Sequence, residues 1–461
     1  MNKQDILDPK SWAERTFGTV QLHDMRRTRR AVHVSACLAE NPLGSLPTQM
    51  HSWKEMKALY RLLNEPDVTF AELIQPHVQQ TKEQANTSAV TLLVQDTTDI
   101  DLSHRHKISG VGQIGNERGR GFFVQTVLAV CPHPEGREVL GCLAQEPFVR
   151  VPAPKGEQRH QRLKREERET DVWMRQVLAI GTPDPGKIWV HVGDRGADMF
   201  PFFQTCQQTK THFLVRAAQN RRIEHEDEEI AYSLMRTRSW LSQASRPFEI
   251  PARHGHQARE TQLQMAFGQM TLLPPRNEPQ ASQDPMPVWV VRVWEEHAPE
   301  GEKPLEWVLL TSVPTTTMEQ AWERVEWYKH RWLVEDYHQC LKSGCRIEER
   351  QLQQVDSLIR LLGFLSPLAI RLLQVRELAR VDPERLASEV IDPLMLAVLA
   401  ERSDQSPTTM TLSTFWIEIA RLGGYLARAS DGPPGWRTIW KGWLFLQTLL
   451  EGVQLAFHLR L

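Results

Sequence analysis

The sequence predicts a mixed α/β fold flanked by helical units, and three observations predict it. Apolar, β-branched runs end in aspartate at residues 91–96 and 187–194. Three-and-four spacing of apolar residues fills 11–63 and everything after Gln351. A strand-like, proline-rich stretch at about 220–312 separates the second aspartate from the next helical pattern. At 461 residues the chain exceeds one ordinary core. The expected division is a helical unit at 1–68, an α/β unit at 69–380 carrying the β-rich insertion, and a helical unit at 381–461.

Each element follows from local pattern. AVHVSACLA (31–39) and WKEMKALYRLL (53–63) read as helices, stopped by NEPD at 64–67. TLLVQ (91–95) is a short strand that ends at Asp96, GFFVQTVLAV (121–130) a second and REVLGCLAQEPFV (137–149) a third, together an antiparallel meander. A charged helix is expected over 157–180, then a buried strand, KIWVHVGD, ending at Asp194. Strands, a helix and another strand in that order suit a mixed α/β sheet. TQLQMAF, QMTLL, VWVVRVW and WVLLTS supply the insertion's strands. One continuous helix is expected over 317–344, and later helices break at Pro367, 382–383, Pro393 and the DGPPG of 431–435.

Composition narrows the function classes. No apolar run reaches the roughly 20 residues of a membrane span, and LLGFLSPLAIRLL (361–373) is interrupted by Pro367 and Arg371, so a cytoplasmic protein with no membrane partner is expected. The six cysteines are irregularly spaced, with no C-x-x-C pair and no histidine pair set for zinc, which suits reduced thiols; Cys340 and Cys345 read as packing residues. A net charge of −2 does not advertise a nucleic-acid binder. Charge is local instead: HDMRRTRR (23–30) and ARHGHQARE (252–260) are basic clusters, each either a DNA contact or a solvated face.

The chemistry rests on three acids. Asp96 and Asp194 each end an apolar strand, where α/β sheets place ligand sites, although one such aspartate alone is a common turn residue. Hard oxygen donors favour magnesium or manganese over zinc. On a helix over 317–344, at about 100° per residue, Tyr328, Arg331, Glu335 and Lys342 share one outward stripe, with Leu333, Val334, Tyr337 and Leu341 opposite. Any amphipathic helix has a polar face; Trp332 beside this one is harder to explain as ordinary surface, because rings in basic grooves stack on nucleotides. Two strand-end aspartates, a helix glutamate and neighbouring cations describe a two-metal phosphoryl-transfer site, the acids as ligands, Arg331 and Lys342 on phosphates.

The run YKHRWLVEDYHQCLK (328–342) resembles the Y-R-E-K signature of the bacterial insertion-sequence-four family of transposases. QDTTDIDL around Asp96 and DRGAD from Asp194 resemble the family's two aspartate motifs, and the likeness extends through MRRTRR, PLEWVLLTS, RLLQVRE and IARLGGYL, spanning nearly the whole chain. Gln339 departs from a lysine in the nearest pattern, and KGEQRHQRLKREERE replaces an acidic segment, which bears on local DNA contacts. The resemblance implies a ribonuclease-H-like catalytic domain between a DNA-binding N-terminal domain and a dimerising C-terminal domain. It implies cut-and-paste transposition by strand nicking, hairpin formation and resolution, and strand transfer. Two Mg2+ ions, with Mn2+ able to substitute, would be held by Asp96, Asp194 and Glu335. The partners would be double-stranded DNA, as terminal inverted repeats and target, and a second copy of the chain in a synaptic homodimer at the bacterial nucleoid.

By the same resemblance Arg26, Arg27 and Arg30 touch the inverted repeat, and Arg216, Tyr328, Arg331 and Lys342 the cleaved strand. Trp307 stacks on a flipped base or is a core strand residue; His338, beside the glutamate, acts there or only supports its neighbours. The apolar C-terminal helices, with GWRTIWKGWLFLQTLL at 435–450, meet a partner or pack on their own chain. Three other readings stay open: a nuclease that never joins DNA, a non-catalytic DNA-binding regulator, and a carboxylate-pair glycosidase, which the neighbouring cations suit least.

Overall fold

Five helices open the chain: α1 (Pro9–Phe17), α2 (Met25–Glu40), α3 (Leu46–Gln49), α4 (Trp53–Leu63) and α5 (Phe70–Ala85). Asp8, Asp24, Ser45, Ser52 and Thr69 start them, each side chain accepting a backbone N–H of the first turn that has no intrahelical partner. The computed structural model describes residues 8–459 apart from 116–117, 135, 152–153, 155, 159–160, 162–167, 225–230, 251–258, 277–283, 429–430 and 433. The basic cluster from Ala252 therefore lies outside the described residues except for Arg259 and Glu260.

The sheet begins with β1 (Val90–Asp101), β2 (Gly112–Ile114), β3 (Gly119–His133) and β4 (Gly136–Phe148). β1, β3 and β4 pair antiparallel in sequence order, the expected meander. After α6 (Val172–Ile180) come β5 (Ile188–Gly193), α7 (Phe200–Gln208) and β6 (His212–Arg216). β5 lies parallel to β1, and β6 parallel to β5. This parallel centre is apolar on both faces because helices cover both.

The strand-rich stretch follows as β7 (Arg222–Ile223), β8 (Ala231–Tyr232), α8 (Ser233–Arg238), β9 (Ala244–Ile250), β10 (Arg259–Leu272), β11 (Met286–Glu295) and β12 (Glu306–Thr311). It includes a short helix, and it does not form a sheet of its own: β12 pairs antiparallel with β6, so β12, β11 and β10 extend the central sheet. The remaining helices are α9 (Met318–Lys329), α10 (Trp332–Gln339), α11 (Val355–Val381), α12 (Pro393–Ser403), α13 (Leu412–Leu422) and α14 (Trp436–Leu459).

Four expectations need correction. β1 does not end at Asp96; it runs on to Asp101, because residues 96–101 keep an antiparallel partner in β3 after β5 has stopped. The helix expected over 157–180 is not continuous: Arg168 is extended and a 3₁₀ turn, Glu169–Asp171, leads into Val172–Ile180, while 159–160 and 162–167 lie outside the described residues. The helix expected over 317–344 is interrupted at His330 and Arg331 and closes in a π-helical turn, Cys340–Gly344. Pro367 does not break its helix, since α11 runs through it. A proline inside a helix loses one hydrogen bond, but α11 is the core helix and its most apolar window is 83 % buried, so packing on all sides outweighs that loss. By length and composition α11 could cross a bilayer; its burial makes it the interior of this protein.

One continuous apolar cluster joins the N-terminal helices, one sheet face, α9 to α11 and the C-terminal helices. Phe17 stacks on Phe364 at 5.4 Å, and buried Arg350 donates to the carbonyls of Gly44 and Pro42, tying the N-terminal helices to the stretch after α10. A second cluster packs α6 and α7 on the opposite face. α13 and α14 cross where a Cβ on Gly442 would lie 1.7 Å from the Ile419 carbonyl oxygen and one on Gly423 1.9 Å from that of Thr438, so only glycine allows this approach. The apolar C-terminal helices thus meet each other first. All six cysteines are buried and unbridged, Cys340 and Cys345 among the core residues as expected.

Candidate active site

Asp96 and Asp194 are brought together by strand pairing. The parallel register ends at Val94 opposite Val192, so each aspartate stands two residues beyond it, Asp96 still within β1 and Asp194 just past the end of β5. Asp194 caps a short 3₁₀ turn, its Oδ1 accepting from Gly196 N at 2.7 Å. Asp96 Oδ1 accepts from Thr97 N at 2.8 Å. Burial pushes the Asp96 carboxyl up to about 6, and the charges of Asp194 and then Glu335 push the same way against Arg331.

Glu335 arrives on α10, which is fixed from below and behind. Tyr337, fully buried, accepts from Gln145 of β4 at 2.8 Å, and Asp336 accepts from Trp436 of α14 at 2.9 Å and pairs with Arg376 of α11 at 3.1 Å. The interruption of the helix puts Arg331 between the acids: its guanidinium lies 2.8 Å from Glu335 Oε1 and 3.7 Å from Asp96 Oδ2. Burial opposes the Arg331 charge, but Glu335, Tyr328 and Asp96 outweigh it and raise its pKa. Among the described residues the three acids do not have ligand oxygens all within 4.8 Å of one another.

The acids nevertheless suit divalent cations. Hard carboxylate oxygens gather around a point where burial and the charges of Asp194 and Glu335 hold the Asp96 carboxyl above its ordinary range. Asp96, Asp194 and Glu335 are the residues that would hold such ions; Glu335 is 43 % exposed.

The other sequence candidates are placed less uniformly. The helix does not direct its whole stripe outward: Tyr328 and Arg331 are buried. Tyr328 bonds to Arg216 and Arg331, and Arg216 is half-buried, donating to the Glu306 carbonyl at 2.9 Å. The π turn swings Lys342 away from Glu335 to Asp99 at 2.8 Å and Glu348 at 3.7 Å. Trp332 is exposed with Arg331 over its ring at 4.4 Å. Trp307 is packed as a core strand residue, edge-on to Phe248 and to Tyr328 at 5.2 Å, not presented to solvent. His338 is also buried, and desolvation lowers its pKa to about 3, so it is a neutral interior ring. On α2, Arg26 is exposed beside Asp24, Arg27 pairs with Glu65 and Asp67, and Arg30 is half-buried.

Sequence reasoning missed three contributors. Asp198, fully buried, accepts from the backbone of Ala218 and Gln219 and pairs with Arg221 at 2.8 Å, fixing the loop after β6; its place four residues after Asp194 in DRGAD was the available signal. Asp336 had none, since its partners lie 40 and 100 residues away. A cleft of about 390 Å3 beside Asp96 is lined by Thr97, Asp99, Phe123, Phe148, Arg150 and Trp173, with Arg150 over the Phe123 ring at 4.5 Å.

An antiparallel meander, two further parallel strands and carboxylates at the parallel strand ends define a metal-dependent phosphoryl-transfer enzyme. Residues 9–68 match the family model for transposase DNA-binding, and residues 171–366 that for the transposase DDE domain, which carries a ribonuclease-H-like fold. The chain thus carries a transposase DNA-binding region and a transposase DDE domain, which make it a metal-dependent enzyme of DNA strand cleavage and transfer. The DDE match takes in Asp194 and Glu335; Asp96 precedes it and joins through the pairing of β1 with β5.

Proposed function

We propose that this transposase performs cut-and-paste transposition in the manner of the insertion-sequence-four family, resembling the transposon-five transposase, with Asp96, Asp194 and Glu335 as the catalytic acids. The observation that carries the reading is that three acids separated by 98 and 141 residues are brought into one neighbourhood: Arg331 pairs with both Asp96 and Glu335, and the charge of Asp194 acts on Asp96. Bound Mg2+ ions, two in this reading, supply Lewis-acid charge to the scissile phosphodiester. The chain's own residues do the positioning. Arg331 presents a fork suited to phosphate oxygens, and buried Tyr328 lies against it. Lys342 and exposed Trp332 lie on the same helical segment as Glu335, the one as a point charge, the other as a stacking face. α2, with Arg26, Arg27 and Arg30, faces the inverted repeat.

A synaptic homodimer is supported by α14, whose distal residues Leu455, Phe457 and Leu459 are at least 60 % exposed. The test is incubation of the purified enzyme with Mg2+, DNA carrying the repeats that flank its reading frame, and a target plasmid. Hairpin ends followed by joined products are expected. Linear ends that are never joined would replace this reading with a nuclease.

A further inference from the structure

A second cluster of ligand-type side chains lies in the N-terminal helices, remote in sequence from the catalytic acids. Ligand atoms of Cys37, Glu40 and His51 all lie within 4.8 Å of one another. His51 Nε2 is 3.6 Å from Glu40 Oε2. One turn back on α2, His33 Nε2 stands 3.7 Å from Cys37 Sγ and 3.1 Å from Glu55 Oε1, at the start of α4. A thiolate, two imidazoles and a carboxylate form a borderline-soft donor set, the one that Zn2+ selects. Bond lengths of about 2.0–2.3 Å put tetrahedral donors roughly 3.4–3.7 Å apart, a spacing that His51 keeps to Glu40 and His33 to Cys37.

The electrostatics point the same way. Glu40 is the last residue of α2, at the negative end of the helix, and the last turn holds no basic residue. Glu55 Oε2 is sealed from solvent with no hydrogen-bond partner among the described residues. Two carboxylates and a helix C-terminus thus lie around Cys37, where the negative charges of Glu40 and Glu55 act on the thiol more strongly than the positive charge of Arg30.

We propose that Cys37, Glu40 and His51, with His33 as fourth donor, form a structural site for Zn2+ that staples the end of α2 to the segment between α3 and α4. The pattern is invisible to a motif search because His33 and Cys37 share a helix face at i, i+4, while His51 comes from beyond α3. The site is chemically distinct from the catalytic centre, whose donors are all oxygen.

The test uses full-length protein stripped of metal, held in excess Mg2+ to occupy all-oxygen sites, and titrated with Co2+. One equivalent is expected to give a thiolate-to-cobalt charge-transfer band that Zn2+ erases and that is absent in Cys37→Ser. His51→Ala, at a side chain 63 % exposed, is expected to weaken Co2+ binding at least ~10-fold. No band in the wild type, a band that survives Cys37→Ser, or unchanged affinity in His51→Ala would each overturn the proposal.

Discussion

Asp96→Asn is expected to make the metal-free protein more stable while abolishing strand cleavage. The folded-state carboxyl is raised from 3.8 to about 6 by burial and by Asp194. A raised acid costs stability once it must ionise: the penalty is absent below pH 3.8, grows between 3.8 and about 6, and is complete above that. At 1.36 kcal/mol per pH unit the full penalty is about 3 kcal/mol. Asparagine keeps the acceptor for Thr97 N and leaves Arg331 its closer partner, Glu335, so the substitution removes the charge with little other loss. An unfolding entropy of about 2.1 cal/mol/K per residue makes this a gain of about 3 °C in Tm if the whole chain melts together, and more if fewer residues do. Calorimetry in EDTA at pH 7.5 and again near pH 4 measures it. A gain at pH 7.5 that vanishes near pH 4 is expected, and Mg2+ should raise the Tm of the wild type but not of the variant. A variant that is less stable at pH 7.5, or a gain independent of pH, would refute the account of Asp96.

Other outcomes follow from the same geometry. Glu335→Gln should reduce Mg2+-dependent cleavage by more than the ~10–100-fold typical of groups that only support metal ligands, with DNA binding in a gel-shift assay retained. Asp336→Ala releases Trp436 and Arg376 together; a loss of about 1–3 kcal/mol in denaturant unfolding is expected, with cleavage falling although no ligand has changed. Gly442→Ala puts a methyl group 1.7 Å from the Ile419 carbonyl oxygen, so α13 and α14 must separate, and light scattering with thermal melting should show a Tm loss matching about 1–3 kcal/mol and altered self-association.

Local sequence determined the elements that local physics controls. The apolar spacing of 31–39 and 53–63 and the apolar runs before Asp96 and Asp194 mark helices and strands that formed there. The three acids were legible for the same reason, as strand ends and a spaced helical signature. Their arrangement was not. That Arg331 lies between Glu335 and Asp96 depends on a helix interruption that no breaker residue announces, and that Lys342 faces Asp99 depends on a π turn. Trp307 and His338 carried side chains fit for DNA contact, yet burial is decided by what packs over a residue, here Phe248 and Tyr328 for the first and the interior behind α10 for the second. Pro367 shows the converse, a local breaker overruled because the helix around it is enclosed by the core. Sequence fixes what each residue can do; long-range packing, which sums many weak contacts between distant segments, decides which of those possibilities is used.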